Sequence, residues 1–90
     1  QKREDGSWLI DGRMALEDLE IVLGTDVREE VDASYSTVAG LVINHLQRVP
    51  QLSDVITSNG WRFEVIDMDE RRIDKLLVSR LPLRDDDPSG

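Results

Sequence analysis

Cysteine is absent from this 90-residue sequence, and histidine occurs once. The lack of cysteine excludes disulfides, thiolate metal sites and thiol nucleophiles. The one histidine, His45, has no second histidine at the spacing that zinc sites use, and no serine or cysteine pattern that would complete a catalytic triad. We therefore expect a structural or surface role for His45 and predict that the protein is not an enzyme.

Basic residues are few, because 11 Lys and Arg stand against 19 Asp and Glu, and the net charge is −8. Binding to nucleic acid or to an anionic membrane surface depends on positive charge, so neither partner is expected. Long apolar runs are also missing: none approaches the roughly 20 residues of a membrane-spanning helix, and no signal peptide is visible. The polar, Met-less start leads us to expect a module of a longer protein.

Aromatic residues are scarce, with two Trp, one Tyr and one Phe in the chain. The stretch from Trp61 to Val65 alternates apolar and charged residues, which predicts a half-buried strand that supplies much of the core. Asn59-Gly60 before it is the strongest short hairpin signal, and it indicates a partner strand at about residues 55–58. Another strand, at about residues 73–79, follows a charged turn. A shift in the apolar pattern after Val65 predicts either a bulge or a strand that is buried on both faces near its end.

The first part of the chain predicts a strand and a helix. Residues 7–10 are a short β-prone run closed by a turn at Asp11-Gly12. Residues 15–23 place leucines and Val22 on one face of a helix, so that Glu17, Asp18 and Glu20 can face water. Gly24 follows the last apolar position, as a C-terminal cap does.

A second helix is predicted at residues 38–48. Thr37 is a good N-cap residue, and Pro50 is expected to end the helix. Its broad apolar face indicates that it packs flat on the sheet, with Gly40 allowing a close approach of the backbone.

The predicted order is therefore β-α-α-β-β-β. Helices that precede the strands, rather than alternate with them, favour an α+β domain with an antiparallel sheet of about four strands and two helices packed on one face. We expect residues 1–6 to be a linker, residues 7–81 to be the domain, and residues 82–90 to be a flexible acidic tail.

Two acidic clusters are candidate metal sites, because carboxylate oxygens suit magnesium and calcium. Asp67 and Asp69 lie two apart on a strand, with Glu70 in the turn after them. The alternative, which we favour, is a charged hairpin end in which Arg71 and Arg72 are ion-pair partners.

The other cluster lies between the predicted helices. This segment is the most acidic in the chain but lacks the spacing of a calcium-binding loop. Its acidic residues are Asp26, Glu29, Glu30 and Asp32.

The order and spacing of several motifs resemble the CorC/HlyC transporter-associated domain. The resemblance runs from about Asp5 to Arg80 and rests on DGSWLIDG at 5–12, LEDL at 16–19 with LG at 23–24, TVAGLV at 37–42, RVP at 48–50, GWRFEV at 60–65, MD at 68–69 and RRI at 71–73. Two departures concern local geometry only: Met14-Ala15 stands where the family often has Thr-Pro, and Glu70 where a turn glycine is common.

The resemblance implies an α+β fold akin to a lobe of certain flavoprotein dinucleotide-binding domains. It also implies a position after a pair of CBS domains at the C-terminus of bacterial proteins, which often carry a membrane segment and are described as hemolysin-like or as magnesium and cobalt efflux proteins. The family offers no catalytic residues to carry over.

Two functions follow. The first is a non-catalytic regulatory or interaction module on the cytoplasmic face of the inner membrane, with the parent's CBS domains and membrane segment as partners. Self-association as a homodimer and weak binding of magnesium, manganese or calcium are compatible with it. The alternative is adenine-nucleotide or FAD binding by analogy of fold, although the chain lacks a glycine-rich phosphate loop.

Overall fold

Four strands and two helices follow one another in the order that the sequence predicts. The computed structural model describes residues 6–28 and 35–81. Its elements are β1 (Trp8–Asp11), α1 (Leu16–Leu23), α2 (Val38–Leu46), β2 (Val55–Ser58), β3 (Trp61–Asp69) and β4 (Arg72–Arg80). The predicted tail at 82–90 and all but Gly6 of the predicted linker lie outside the described residues.

The strands form one antiparallel sheet in the order β1-β4-β3-β2. The first strand therefore pairs with the last, and Trp8 lies opposite Val78. The hairpin between β2 and β3 turns at Asn59 and Gly60, whose φ angles are 51° and 87°. Both residues adopt the left-handed conformation that a two-residue hairpin turn requires, which confirms the prediction from Asn-Gly.

The predicted bulge is present near the end of β3. The β3–β4 register shifts on both sides of Asp67, after Val65 pairs with Leu76. Glu70 begins the turn into β4 with a φ of 60°. The last part of β3 is consequently more exposed than its first part, where alternate side chains are buried.

The core lies between one face of the sheet and the two helices, as predicted. Phe63, Leu76 and Val78 of the central strands are fully buried. They join one cluster with buried residues of both helices, namely Leu16, Leu19, Val38, Leu41 and Val42. Burial of these apolar side chains is the main term that stabilises a domain of this size.

Three local predictions about α2 need correction. The helix ends at Leu46 rather than at residue 48, because Gln47 turns into the left-handed region (φ 60°) and its backbone N–H caps the carbonyl of Ile43. Pro50 is buried and lies beyond this turn, so it does not end the helix. A Cβ on Gly40 would lie 2.9 Å from the Cβ of Tyr35, so Gly40 makes room for the segment before the helix and not for the sheet.

Candidate functional site

The predicted cluster at the end of β3 is exposed. Asp67 lies opposite Lys75 and Asp69 opposite Arg72 in the sheet register. Asp69 also lines a small cleft of about 170 Å³ together with two arginines, Arg13 and Arg72. Within residues 6–28 and 35–81, no three His, Asp or Glu side chains are grouped so that they would hold a metal ion. A cation at this cluster would therefore take most of its oxygen ligands from water, and binding here stays a prediction.

Arg71 and Arg72 form no ion pair with this cluster among the described residues, contrary to the interpretation that we favoured from the sequence. Exposed long side chains gain about 0–1 kcal/mol from such pairs, which is comparable to the cost of ordering them. Both guanidinium groups therefore keep their charge available at the surface.

Only Asp26 of the second predicted cluster is described; Glu29, Glu30 and Asp32 lie outside the described residues. The backbone carbonyl of Asp26 accepts a hydrogen bond from the Asn59 side chain at 2.7 Å. The next carbonyl, of the fully buried Val27, accepts one from the Ser58 hydroxyl at 2.6 Å. The start of the acidic segment is thus fixed to the β2–β3 turn, and cation binding by this cluster also stays a prediction.

Glu20 fixes the start of the same segment, at Val27 and Arg28, from the side of α1, and the prediction that it can face water is wrong. One carboxylate oxygen accepts the backbone N–H of Val27 at 2.9 Å, and the other accepts the Arg28 guanidinium at 2.8 Å. The Glu20 side chain is only 12% exposed. The Arg28 guanidinium, followed by the backbone N–H groups, holds the pKa of Glu20 below its usual value. The sequence feature that could have predicted this contact is Arg28, a basic residue four positions after the capping Gly24, because the chain reverses at that cap.

A second carboxylate, that of Asp54, orders the connection between α2 and β2. It accepts two hydrogen bonds from the Arg48 guanidinium, at 2.7 and 2.9 Å, and one from the backbone N–H of Gln51 at 2.7 Å. The Arg48 guanidinium lowers the pKa of Asp54. This bidentate pair was not predicted, because nothing in the local sequence distinguishes Arg48 from other exposed arginines.

A groove runs beside this connection. Its volume is about 620 Å³, and we call it the α2 groove; it is lined by Ile43, Asn44, Gln47, Arg48, Val49, Pro50 and Arg71. Ile43 is 41% and Val49 is 56% exposed, so the groove leaves apolar surface uncovered by the described residues. It combines an apolar wall with amide and guanidinium donors, which suits an amphipathic ligand surface.

His45 is half-buried on α2, with its Nδ1 3.0 Å from the carbonyl oxygen of Leu41 one turn earlier. The structural or surface role expected for His45 stays a prediction. In the part of the chain that the structure describes, neither helix has the length and apolar character needed to cross a membrane.

Comparison with known proteins matches this chain to a protein family. Residues 1–82 match the CorC_HlyC family, described as the transporter associated domain. A polyamine export protein of Salmonella typhimurium is 36% identical over 87 residues, which cover 97% of this chain and 19% of that protein. The chain therefore spans less than one fifth of the length of this curated relative.

Solved structures share the fold. The transporter associated domain of a Xylella fastidiosa hemolysin, in complex with Mg²⁺ and Mn²⁺, is 44% identical with a TM-score of 0.78, covering 91% of this chain and 96% of that one. The corresponding domain of a CBS domain protein from Porphyromonas gingivalis is 27% identical with a TM-score of 0.77, covering 91% and 97%. These matches confirm the predicted α+β fold and, separately, the resemblance to the CorC/HlyC transporter-associated domain. The chain belongs to the CorC_HlyC family of transporter associated domains.

Proposed function

We propose that this domain is a non-catalytic regulatory and interaction module of a larger bacterial ion-transport protein. The observation that carries the proposal is the contrast in coverage: the match takes in 97% of this chain and only 19% of a polyamine export protein. A unit that accounts for so little of a transporter is too short to form the pore by itself, and it therefore fits a role in controlling transport. The proposed unit is residues 7–81, with residues 1–6 as a linker and 82–90 as a tail.

We further propose that the module sits on the cytoplasmic face of the inner membrane and contacts CBS domains of its own parent chain. The CBS domain protein from Porphyromonas gingivalis, which carries a domain of the same fold, supports the contact with CBS domains. Exposed apolar side chains outside α1 and the α2 groove, such as those of Leu52 and Ile66, offer surface for such contacts. The alternative, binding of FAD or an adenine nucleotide, stays a prediction. None of the contacts that the structure describes favours it.

Deletion of the module from its parent tests the regulatory role. Residues 7–81 are removed from the full-length protein, and efflux of Mg²⁺, Co²⁺ and putrescine is measured from loaded cells, with the amount of protein in the membrane determined by immunoblot. We expect equal membrane insertion and an altered efflux rate. A deletion of residues 82–90 alone is the control. Unchanged efflux of all three cations after the larger deletion would refute a regulatory role.

We also propose that the domain binds a divalent cation weakly through one of its two acidic clusters. The Xylella fastidiosa relative in complex with Mg²⁺ and Mn²⁺ supports this proposal. The exposed carboxylates of Asp67 and Asp69, and that of Asp26 in the other cluster, are accessible to a cation. Each site would be largely hydrated, which fits weak rather than tight binding.

Thermal unfolding with and without Mg²⁺, Mn²⁺ or Ca²⁺ tests this binding, with NaCl at matched ionic strength as the reference. A ligand at a hundred times its dissociation constant stabilises the folded state by about 2.7 kcal/mol, which raises the midpoint by several degrees in a domain this small. The variant D67N/D69N separates the strand cluster from the loop cluster, which is neutralised by D26N/E29Q/E30Q/D32N. D85N/D86N in the tail removes as much charge as the strand variant. If the unfolding midpoint with each divalent ion equals the midpoint in NaCl at the same ionic strength, the proposal is wrong.

A further inference from the structure

We infer that the α2 groove receives the outer face of helix α1 from a second copy of this domain. The inference rests on the interaction role proposed above and adds to it a second partner and the two surfaces that meet. It rests on the exposure and charge of two surfaces that the described residues leave uncovered.

The outer face of α1 combines acidic and apolar side chains. Ile21 is 77% exposed, more than any other large hydrophobic residue that the structure describes, and Val22 beside it is 43% exposed. Glu17 and Asp18 lie one turn earlier on the same face and are also exposed. A helix normally turns such β-branched apolar residues toward a core. This stripe therefore has the composition of a contact surface.

The α2 groove has the complementary character. Ile43 and Val49 provide an apolar wall, and the amide side chains of Asn44 and Gln47 line the same groove. Arg71 contributes a guanidinium that has no ion-pair partner among the described residues. Amphipathic helices commonly bind in grooves through an apolar stripe flanked by charges. Here Ile21 would meet the apolar wall while Asp18 would lie near Arg71.

A second copy is an occupant whose charges match these two surfaces locally. The chain's net charge of −8 makes two copies repel each other at long range, so only a local match of charge can favour their contact. The α1 stripe is acidic and the groove presents a guanidinium, and every copy carries both surfaces. In a twofold arrangement, each copy's α1 would occupy the groove of the other, so the two contacts would form together. A contact between one helix face and one groove is small, and small interfaces are typically transient. If two copies belong to the same assembly of parent proteins, their high effective concentration would strengthen the contact.

A charge exchange between two copies tests the inference by sedimentation velocity from about 10 µM to about 1 mM, a range set by weak association. The wild type is expected to associate as concentration rises. In a dimer of D18R copies, two cations would face each other at each contact, because positions 18 and 71 are then both basic. In a dimer of R71D copies, two carboxylates would face each other at each contact, because both positions are then acidic. Each variant is expected to weaken self-association at least about tenfold. In a mixture of the two variants, a D18R copy and an R71D copy bring opposite charges together at both contacts, so association should return in the mixture.

Controls separate this contact from general charge effects. R72D changes the next residue, which does not line the groove, and should associate like the wild type. Circular dichroism melts verify that each variant is folded. A wild type that stays monomeric at every concentration overturns the inference, as does association that D18R and R71D leave unchanged or that their mixture fails to restore. Either result leaves the transport experiment above unaffected, so the two proposals fail separately.

Discussion

The Glu20 carboxylate takes the place of water as the partner of backbone amides after α1. We predict that E20Q lowers the free energy of unfolding by about 1–2 kcal/mol at pH 7, because charge-assisted hydrogen bonds to Val27 and Arg28 weaken together. Urea unfolding measures the change. E17Q makes the same substitution one turn earlier on an exposed residue and should change the free energy by less than about 0.5 kcal/mol. Equal effects of the two variants would contradict the role assigned to Glu20.

The same carboxylate makes stability depend on pH. Folding lowers the pKa of Glu20 from its ordinary value of 4.5, so its stabilisation is complete above that value and is lost as the pH falls through the lower, folded value. We predict that the difference in unfolding free energy between the wild type and E20Q shrinks from about pH 5 to about pH 3. Unfolding at a series of pH values checks this. A difference that stays constant over that range would show that the charge of Glu20 is not what stabilises the segment.

Gly12 illustrates a constraint of space rather than of backbone angle. A Cβ at this position would lie within 3 Å of the carbonyl oxygen of Ile73, and backbone atoms of Gly12 bond to both Asp74 and Ala39. We predict that G12A destabilises the domain by about 1–3 kcal/mol, through displacement of the β1–α1 turn from β4. G24A is the comparison, since its Cβ would meet no atom within 4 Å and only its positive φ (76°) opposes the change. A smaller loss for G12A than for G24A in urea unfolding would argue against crowding at Ile73.

At the level of elements, the two helix N-termini support one another. Ala15 and Thr37 form an isolated antiparallel bridge, in which the N–H of Leu16 donates to the Ser36 carbonyl and the N–H of Val38 donates to the Met14 carbonyl. This exchange satisfies the first backbone donor of each helix. It explains why α1 begins stably after Ala15, whose side chain cannot cap.

Helix α2 has a side-chain cap in addition to this bridge. The Thr37 hydroxyl accepts the backbone N–H of Gly40 at 3.0 Å. We predict that T37A lowers the unfolding free energy by about 1 kcal/mol. S36A should change it little, because Ser36 takes part in the bridge through its backbone carbonyl and not through its side chain. Thermal unfolding resolves the difference, because about 1 kcal/mol corresponds to about 4–8 °C here. Equal midpoints for the two variants would mean that the bridge alone supports α2.

At the level of the whole molecule, the charge of −8 opposes compaction. The ion pairs that the structure describes are local, such as Glu20 with Arg28 and Arg48 with Asp54, and the charged atoms of these two pairs lie 2.8 and 2.7 Å apart, well within the Debye length. Salt therefore screens a long-range repulsion more than it weakens these contacts. We predict that the unfolding midpoint rises by several degrees between about 0.01 and 0.5 M NaCl. A falling midpoint in calorimetry would show that the ion pairs outweigh the repulsion.

Sequence alone determined the features that depend on neighbours along the chain. The alternation from Trp61 to Val65, the Asn59-Gly60 turn and the Thr37 cap each act within a few residues, so pattern and chemistry predicted them. The candidate metal residues were likewise chosen by spacing, and spacing alone does not say which carboxylates meet.

The tertiary structure decided what depends on residues far apart. It pairs β1 with β4, brings Arg71 to the groove beside α2, and leaves Gly12 no room beside Ile73. It also turns Glu20 from a surface residue into the anchor of the acidic segment, because the chain reverses at Gly24. Each of these contacts forms only when separate elements pack on the same core, and no local pattern records that packing.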